Sequence, residues 1–148
     1  MGLWIVTIGV IGWFFVQGLT TQGTDGRTQI VLAPAERDLI LGEMRLLLKA
    51  VHGVVTGLAG QNQAADRTQM EQAARSAGMH MAEDVNPALM AKLPLPFKQM
   101  GMSIHQDMDA LADAIANKET SQQILQRLSS MTARCTACHD MYRFGAGQ

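Results

Sequence analysis

The sequence predicts an all-α chain, an antiparallel four-helix bundle preceded by a single transmembrane helix. Three observations predict it. Helix-favouring Ala, Leu, Met and Gln are abundant, with 11 methionines, whereas strand-favouring residues are scarce, with one Tyr and four Phe. From position 34 onward, apolar residues recur at alternating steps of three and four, the spacing of one helix face. Ahead of that region stands an uncharged apolar run at residues 3–19. At 148 residues the chain is the size of one domain. A net charge of -1 provides no basic footprint and argues against a nucleic-acid partner.

The first element is the run LWIVTIGVIGWFFVQGL, residues 3–19, whose one strongly polar residue is Gln17. Seventeen residues at ~1.5 Å each make a helix about 25 Å long, against a hydrocarbon core of ~30 Å. A cleaved signal would carry a basic n-region, and Met1-Gly2 has no Lys or Arg, although Val16-Gln17-Gly18 would pass as a cleavage site. The expectation is therefore a transmembrane anchor, or uncleaved signal, at 1–19. Residues 20–33 follow as a linker, since TTQGTDGRTQ is polar, contains Gly and shows no hydrophobic period.

Residues 34–148 form the expected bundle. Its first helix spans about 34–59. Pro34 suits the first helical position and Glu36 the positive helix start, with Ile40, Met44, Leu47, Val51, Val54 and Leu58 on one stripe. The second, at 66–83, is weaker and Ala-rich, with Met70, Ala74, Ala77 and Met81 on one face. Residues 85–96 contain three prolines and read as a loop. The third helix, 97–118, carries Phe97, Met100, Ile104, Met108, Leu111 and Ile115. The fourth starts near Thr120 or Ser121, both good N-caps, and carries Ile124, Leu128, Met131, Cys135, Cys138 and Tyr142. Most of the methionines read as core filler.

The chemistry is concentrated in RCTACHDMYRF near the C-terminus. It holds both cysteines of the chain, Cys135 and Cys138, followed at once by His139. A thioredoxin-like pair would need a βαβ setting. Structural zinc would need a second ligand pair at suitable spacing. A disulfide across two intervening residues would staple little. Cys-x-x-Cys-His is the pattern of c-type haem attachment. Two thiols about one helical turn apart can bond the porphyrin vinyls, and the next residue brings its imidazole under the iron.

CTACHDMYRF resembles the C-terminal signature of the cytochrome c-prime and low-spin class II c-type cytochrome family, over Cys135, Cys138, His139, Tyr142 and Arg143, with Asp140 also common there. The resemblance extends more weakly over residues 35–148, and the apolar N-terminal run departs from the soluble family members. It implies one covalent haem c on the last helix of a four-helix bundle, with His139 as proximal iron ligand. It also implies a distal residue on the first helix, one to two turns in, where Met44, Leu46 and Leu47 are the candidates. Met44 lies on the inward stripe, and Leu46, about 200° further round the helix, lies at its flank. Met44 is thus the expected sixth ligand. A thioether there suits electron transfer, whereas an open site suits nitric oxide or carbon monoxide. Arg143 is expected near the haem, paired with a propionate or lying over the porphyrin edge. His52, His80 and His105 read as surface or half-buried histidines.

The sequence therefore leads to a membrane-anchored c-type cytochrome and not an enzyme. It would sit in the cytoplasmic (inner) membrane as a single-pass protein with its haem domain on the periplasmic side, in contact with the bilayer through residues 3–19. It would carry single electrons between membrane-bound donor and acceptor complexes, or within a respiratory or photosynthetic complex. A five-coordinate protein binding NO or CO, and a structural subunit of a membrane complex, are the alternatives.

Overall fold

The computed structural model describes residues 2–60, 63–83 and 86–146. Over these the chain forms six α-helices, a short 3-10 turn and three strands. Helix α1 is Gly2–Gln17, β1 is Thr20–Gln22, β2 is Thr28–Leu32 and α2 is Pro34–Ala59. They are followed by α3 (Gln63–Arg75), the 3-10 turn Met79–Ala82, α4 (Pro87–Lys92), α5 (Leu95–Ala116), α6 (Ser121–Met141) and β3 (Tyr142–Ala146).

Two parts of the expected fold are corrected. The chain is mostly helical but not an all-α bundle, because it contains a three-stranded sheet in the order β1-β2-β3. Strands β1 and β2 pair antiparallel in the segment read as a linker, and β2 pairs parallel with β3 from Thr28 opposite Tyr142 to Leu32 opposite Ala146. The whole helical body is the crossover that a parallel pair requires. The signals were local and short. Asp25-Gly26 is a hairpin turn pair, with Gly26 at φ 85°, and Ile30 and Leu32 alternate with half-buried neighbours to put two buried side chains on one face.

The second correction is the transmembrane helix. Among the described residues no helix is long and apolar enough to cross a membrane. Helix α1 has 16 residues, about 24 Å at ~1.5 Å per residue, and stops at Gln17. There the backbone turns through Gly18 at φ 66°, whose N–H donates to the Phe14 carbonyl at 2.9 Å. Leu19 then donates its N–H to the Lys92 carbonyl at 2.7 Å, so the end of the apolar run is bound to the body and not to a continuing helix. A Cβ on Gly18 would strike the backbone of residues 92–94, which fixes glycine at this turn. The rest of α1 stands in solvent, with Trp4 74% and Trp13 69% exposed.

The other helices begin and end where their caps dictate. The Glu36 carboxylate accepts from the Ala33 N–H at 2.9 Å and pairs with Lys92 at 2.6 Å, fixing the start of α2. The expected helix at 66–83 breaks after Arg75, where Asp109 accepts from the Met79 N–H at 2.9 Å and holds the 3-10 turn. The expected loop at 85–96 contains α4, with Asn86 as N-cap and Pro87 in its first turn. Helix α6 opens on a Thr120–Gln123 capping box.

Packing runs from α2 to α3, from α3 to α5 and from α5 to α6. Two cores result. The larger joins Val54, Ala74, Met108, Leu111, Ile115, Ile124 and Met131 across these helices. The smaller lies under the sheet, where Ile30, Leu32, Ile40, Leu89, Leu93 and Phe97 are buried, and Met44, Cys138, Tyr142 and Phe144 pack against it. Helices α2 and α6 scarcely touch directly, and two cavities lie between them.

Candidate functional site

The site is built where the last turns of α6 face α2. Cys135 is exposed and Cys138 half-buried, and both are free thiols. The Cys135 thiol donates toward the Met131 carbonyl at 3.8 Å, the residue one turn earlier. Burial pushes both thiols above their ordinary value, and the adjacent Cys135 adds to the effect at Cys138. A nucleophilic or redox-exchanging cysteine needs the opposite shift, toward thiolate. The His139 imidazole is exposed and makes no hydrogen bond among the described residues, while its backbone carbonyl accepts from Arg27 Nη1 at 3.1 Å.

Two cavities flank this helix end and share Leu41, Met44 and His139 in their walls. One, of about 430 Å³, is lined by apolar side chains of α2 and α5, including Leu47, Val51, Ile104 and Met108, together with Cys135. The other, of about 350 Å³, adds Phe97, Cys138, Tyr142 and Phe144 and is rimmed by Arg27, Arg37 and Arg143. Both volumes lie in the range of small-molecule sites, ~300–1,000 Å³. Phe97 packs edge-on against Tyr142 at 5.5 Å and against Phe144 at 5.8 Å, which stiffens the floor of the second cavity.

Of the residues singled out from the sequence, Met44 and His139 line both cavities, Cys138 and Arg143 the smaller one and Cys135 the larger. Cys135, Cys138, His139 and Met44 lie around the two cavities, and Leu47 lines the larger one, whereas Leu46 is 48% exposed and lines neither. Met44 is at the edge of the core and not inside it, since Ile40, Ala50 and Val54 are the buried residues of α2. Arg143 does line the cavity, but it is tied to the hairpin: its Nη1 donates to Asp25 Oδ2 at 3.2 Å and toward Thr24 Oγ1 at 3.5 Å. Arg27 donates to the same carboxylate oxygen from Nε at 2.9 Å and Nη2 at 2.6 Å. Hydrogen bonding to Arg27, with the charges of Arg27 and Arg143, lowers the Asp25 carboxyl to about 2.

Arg27, Arg37 and Leu41 were not picked out from the sequence. Arg27 lay in the presumed linker. Arg37, Leu41, Met44 and Leu48 do follow the i, i+4, i+7, i+11 spacing of one helix face, but one charged member hides such a stripe. Among the other histidines, His52 and His80 are exposed. His105 is buried, not at the surface, because α5 turns it under the end of α3, where Nδ1 lies 2.8 Å from the Ala77 carbonyl.

No group of three or more His, Cys, Asp or Glu side chains among the described residues is placed to hold a metal ion. The donor set that does converge is of another kind, with two thiols one turn apart, an uncommitted imidazole, a thioether and an apolar space between two helices. Those residue types are the ones that would hold a haem, the thiols through thioether bonds and the imidazole and thioether through the iron. No protein-family model, curated protein or solved structure matches the chain.

Proposed function

We propose that this chain is a c-type cytochrome that carries single electrons between redox partners at a membrane, as a separate carrier or as a subunit of a respiratory or photosynthetic complex. The observation that carries the reading is the sharing of Met44 and His139 by both cavities beside the Cys135–Cys138 pair. When bound, haem supplies an iron that cycles between ferric and ferrous states. Cys135 and Cys138 would hold the group covalently through thioethers, and His139 and Met44 are the side chains that would ligate its iron. A thioether ligand and the aliphatic and aromatic walls would both favour a raised potential. Helix α1, apolar around its whole circumference and exposed over residues 4–16, supports lipid contact by the N-terminal segment without crossing the bilayer. The working location is the periplasmic face of the cytoplasmic membrane.

A second reading has an observation of its own. The larger cavity continues past Met44 between Leu47, Val51, Ile104 and Met108, an apolar space suited to a small neutral gas such as NO or CO. Two measurements on the purified protein test the function. Colour retained through acid–acetone extraction is expected, because thioethers survive denaturation, and extraction of the pigment defeats the haem reading. A low-spin ferric spectrum with slow carbon monoxide binding is expected for the electron carrier, and a high-spin, fast-binding protein selects the gas-binding reading.

A further inference from the structure

The rim of the smaller cavity contains three guanidiniums, from Arg27, Arg37 and Arg143. Two of them are already paired. Asp25 Oδ2 accepts from Arg27 at 2.6 and 2.9 Å and from Arg143 at 3.2 Å, so one carboxylate holds both side chains in place. Arg37 is different. Its Nη2 reaches only Asp38, at 3.5 Å, on its own helix, and Asp38 is 67% exposed. Its Nε is buried and has no hydrogen-bond partner among the described residues. A buried donor left unpaired carries a desolvation penalty that an incoming acceptor removes. Arg37 also shares its helix face with Leu41 and Met44, and seven residues of α-helix place it ~10 Å along α2 from Met44. A ligand centred between Met44 and His139 would bring its periphery to Arg37.

We infer that Arg37 is a carboxylate-receiving residue of this site and takes a haem propionate on its Nε and Nη fork, with Arg143 and Arg27, held in advance by Asp25, flanking it. The inference rests on the haem reading above. The geometry favours a carboxylate over a neutral group because the fork of a guanidinium matches its two oxygens. Three guanidiniums and no carboxylate line this cavity among the described residues, and Asp25 bridges two of the guanidiniums from outside it. The body of the ligand must be apolar, since Leu41, Met44, Phe97, Tyr142 and Phe144 form the rest of the wall. An amphiphilic ring with acidic arms meets both demands.

The test compares haem-loaded wild type with Arg37→Gln and Arg37→Lys. All three keep their colour through acid–acetone extraction, because the thioethers do not involve Arg37. Arg37→Gln is expected to shift the reduction equilibrium roughly tenfold toward ferric, ~59 mV for one electron, since an unpaired propionate stabilises the higher iron charge. Its propionate-bending band in the resonance Raman spectrum should move as well. Arg37→Lys keeps the charge and should recover most of the potential, but not the band, because the fork is gone. An Arg37→Gln protein with wild-type potential and band overturns the assignment. So does an equal loss of thermal stability in both variants with unchanged potential, which marks a purely structural arginine. If Arg37→Gln does not accumulate, an unmoved band in Arg37→Lys overturns it. A wild-type protein that loses its colour defeats the haem reading itself, and is seen before any arginine variant is made.

Discussion

Met44 and His139 are set by different forces. His139 follows Cys138 by covalent adjacency, so its place beside the thiols holds wherever α6 lies. Met44 depends on the phase of α2, and that phase is fixed by Ile40, Ala50 and Val54, whose burial turns the adjacent face of the helix to the two cavities. Met44 is half-buried at this boundary, free to reach into the site without opening the core. Under the haem proposal, replacing Met44 by Ala is therefore expected to leave the covalent attachment and the fold in place and to change the iron. The ferric protein should turn from low-spin to high-spin, its potential should fall, and carbon monoxide should bind readily, because loss of the thioether removes a preference for ferrous iron. Absorption spectra in both oxidation states check this. A variant with the spectrum of wild type would remove Met44 from the ligand set.

At the level of elements, the hairpin and the C-terminal strand close one side of the site. Strand β3 begins three residues after His139, and its parallel pairing with β2 holds Tyr142 and Phe144 against Phe97. The hairpin loop contributes Arg27 to the carbonyl of His139 and Asp25 to Arg143, so a segment 112 residues away in sequence steadies the end of α6. This clasp has a defined pH range. Asp25 is lowered from 3.8 to about 2 in the fold, chiefly by its hydrogen bonds to Arg27. A depressed carboxyl stabilises the fold at pH values above its unfolded pKa, and that contribution is lost as pH falls through the folded value. The clasp should thus be intact at pH 5, weaken below about 3.8 and be gone below about 2. Amide exchange of β2 and β3 against pH measures it, with Asp25→Asn as the control that should lack this step. An exchange profile identical in both proteins would show that the pairing does not depend on the carboxylate.

On the scale of the whole molecule, the chain consists of a helical body, a small sheet beside the site and an apolar helix attached at one end. The attachment of α1 is polar. Lys98 donates to the carbonyls of Phe15 at 3.3 Å and Met90 at 3.2 Å, and its ammonium lies 4.1 Å from the centre of the Phe15 ring. Burial lowers the Lys98 pKa, and those acceptors offset part of that cost. With its far end exposed, α1 should bind the chain to lipid. Removal of residues 2–17 is expected to release the protein from vesicles in a flotation assay while the haem spectrum is unchanged, because α1 contributes no wall to either cavity. Co-flotation of the shortened chain would place the lipid contact elsewhere. Helices α2, α5 and α6 and the Cys135–Cys138–His139 cluster could be read from residue order, because helical periodicity, caps and the spacing of two thiols and an imidazole are local properties, whereas the break after Arg75 and the short α4 could not. Helix α2 falls on Pro34–Ala59, as its stripe and its proline indicated, and α6 starts after Thr120. The sheet, the true end of the apolar helix and the arginine rim were hidden for the opposite reason. Strand β2 has five residues and takes its parallel partner from the other end of the chain, Gly18 turns because Lys92 is there to accept from Leu19, and Arg27, Arg37 and Arg143 become one rim only when the hairpin, α2 and the C-terminal strand are brought together. Contacts between residues far apart in sequence leave no period in the residue order and exist only once the chain has folded.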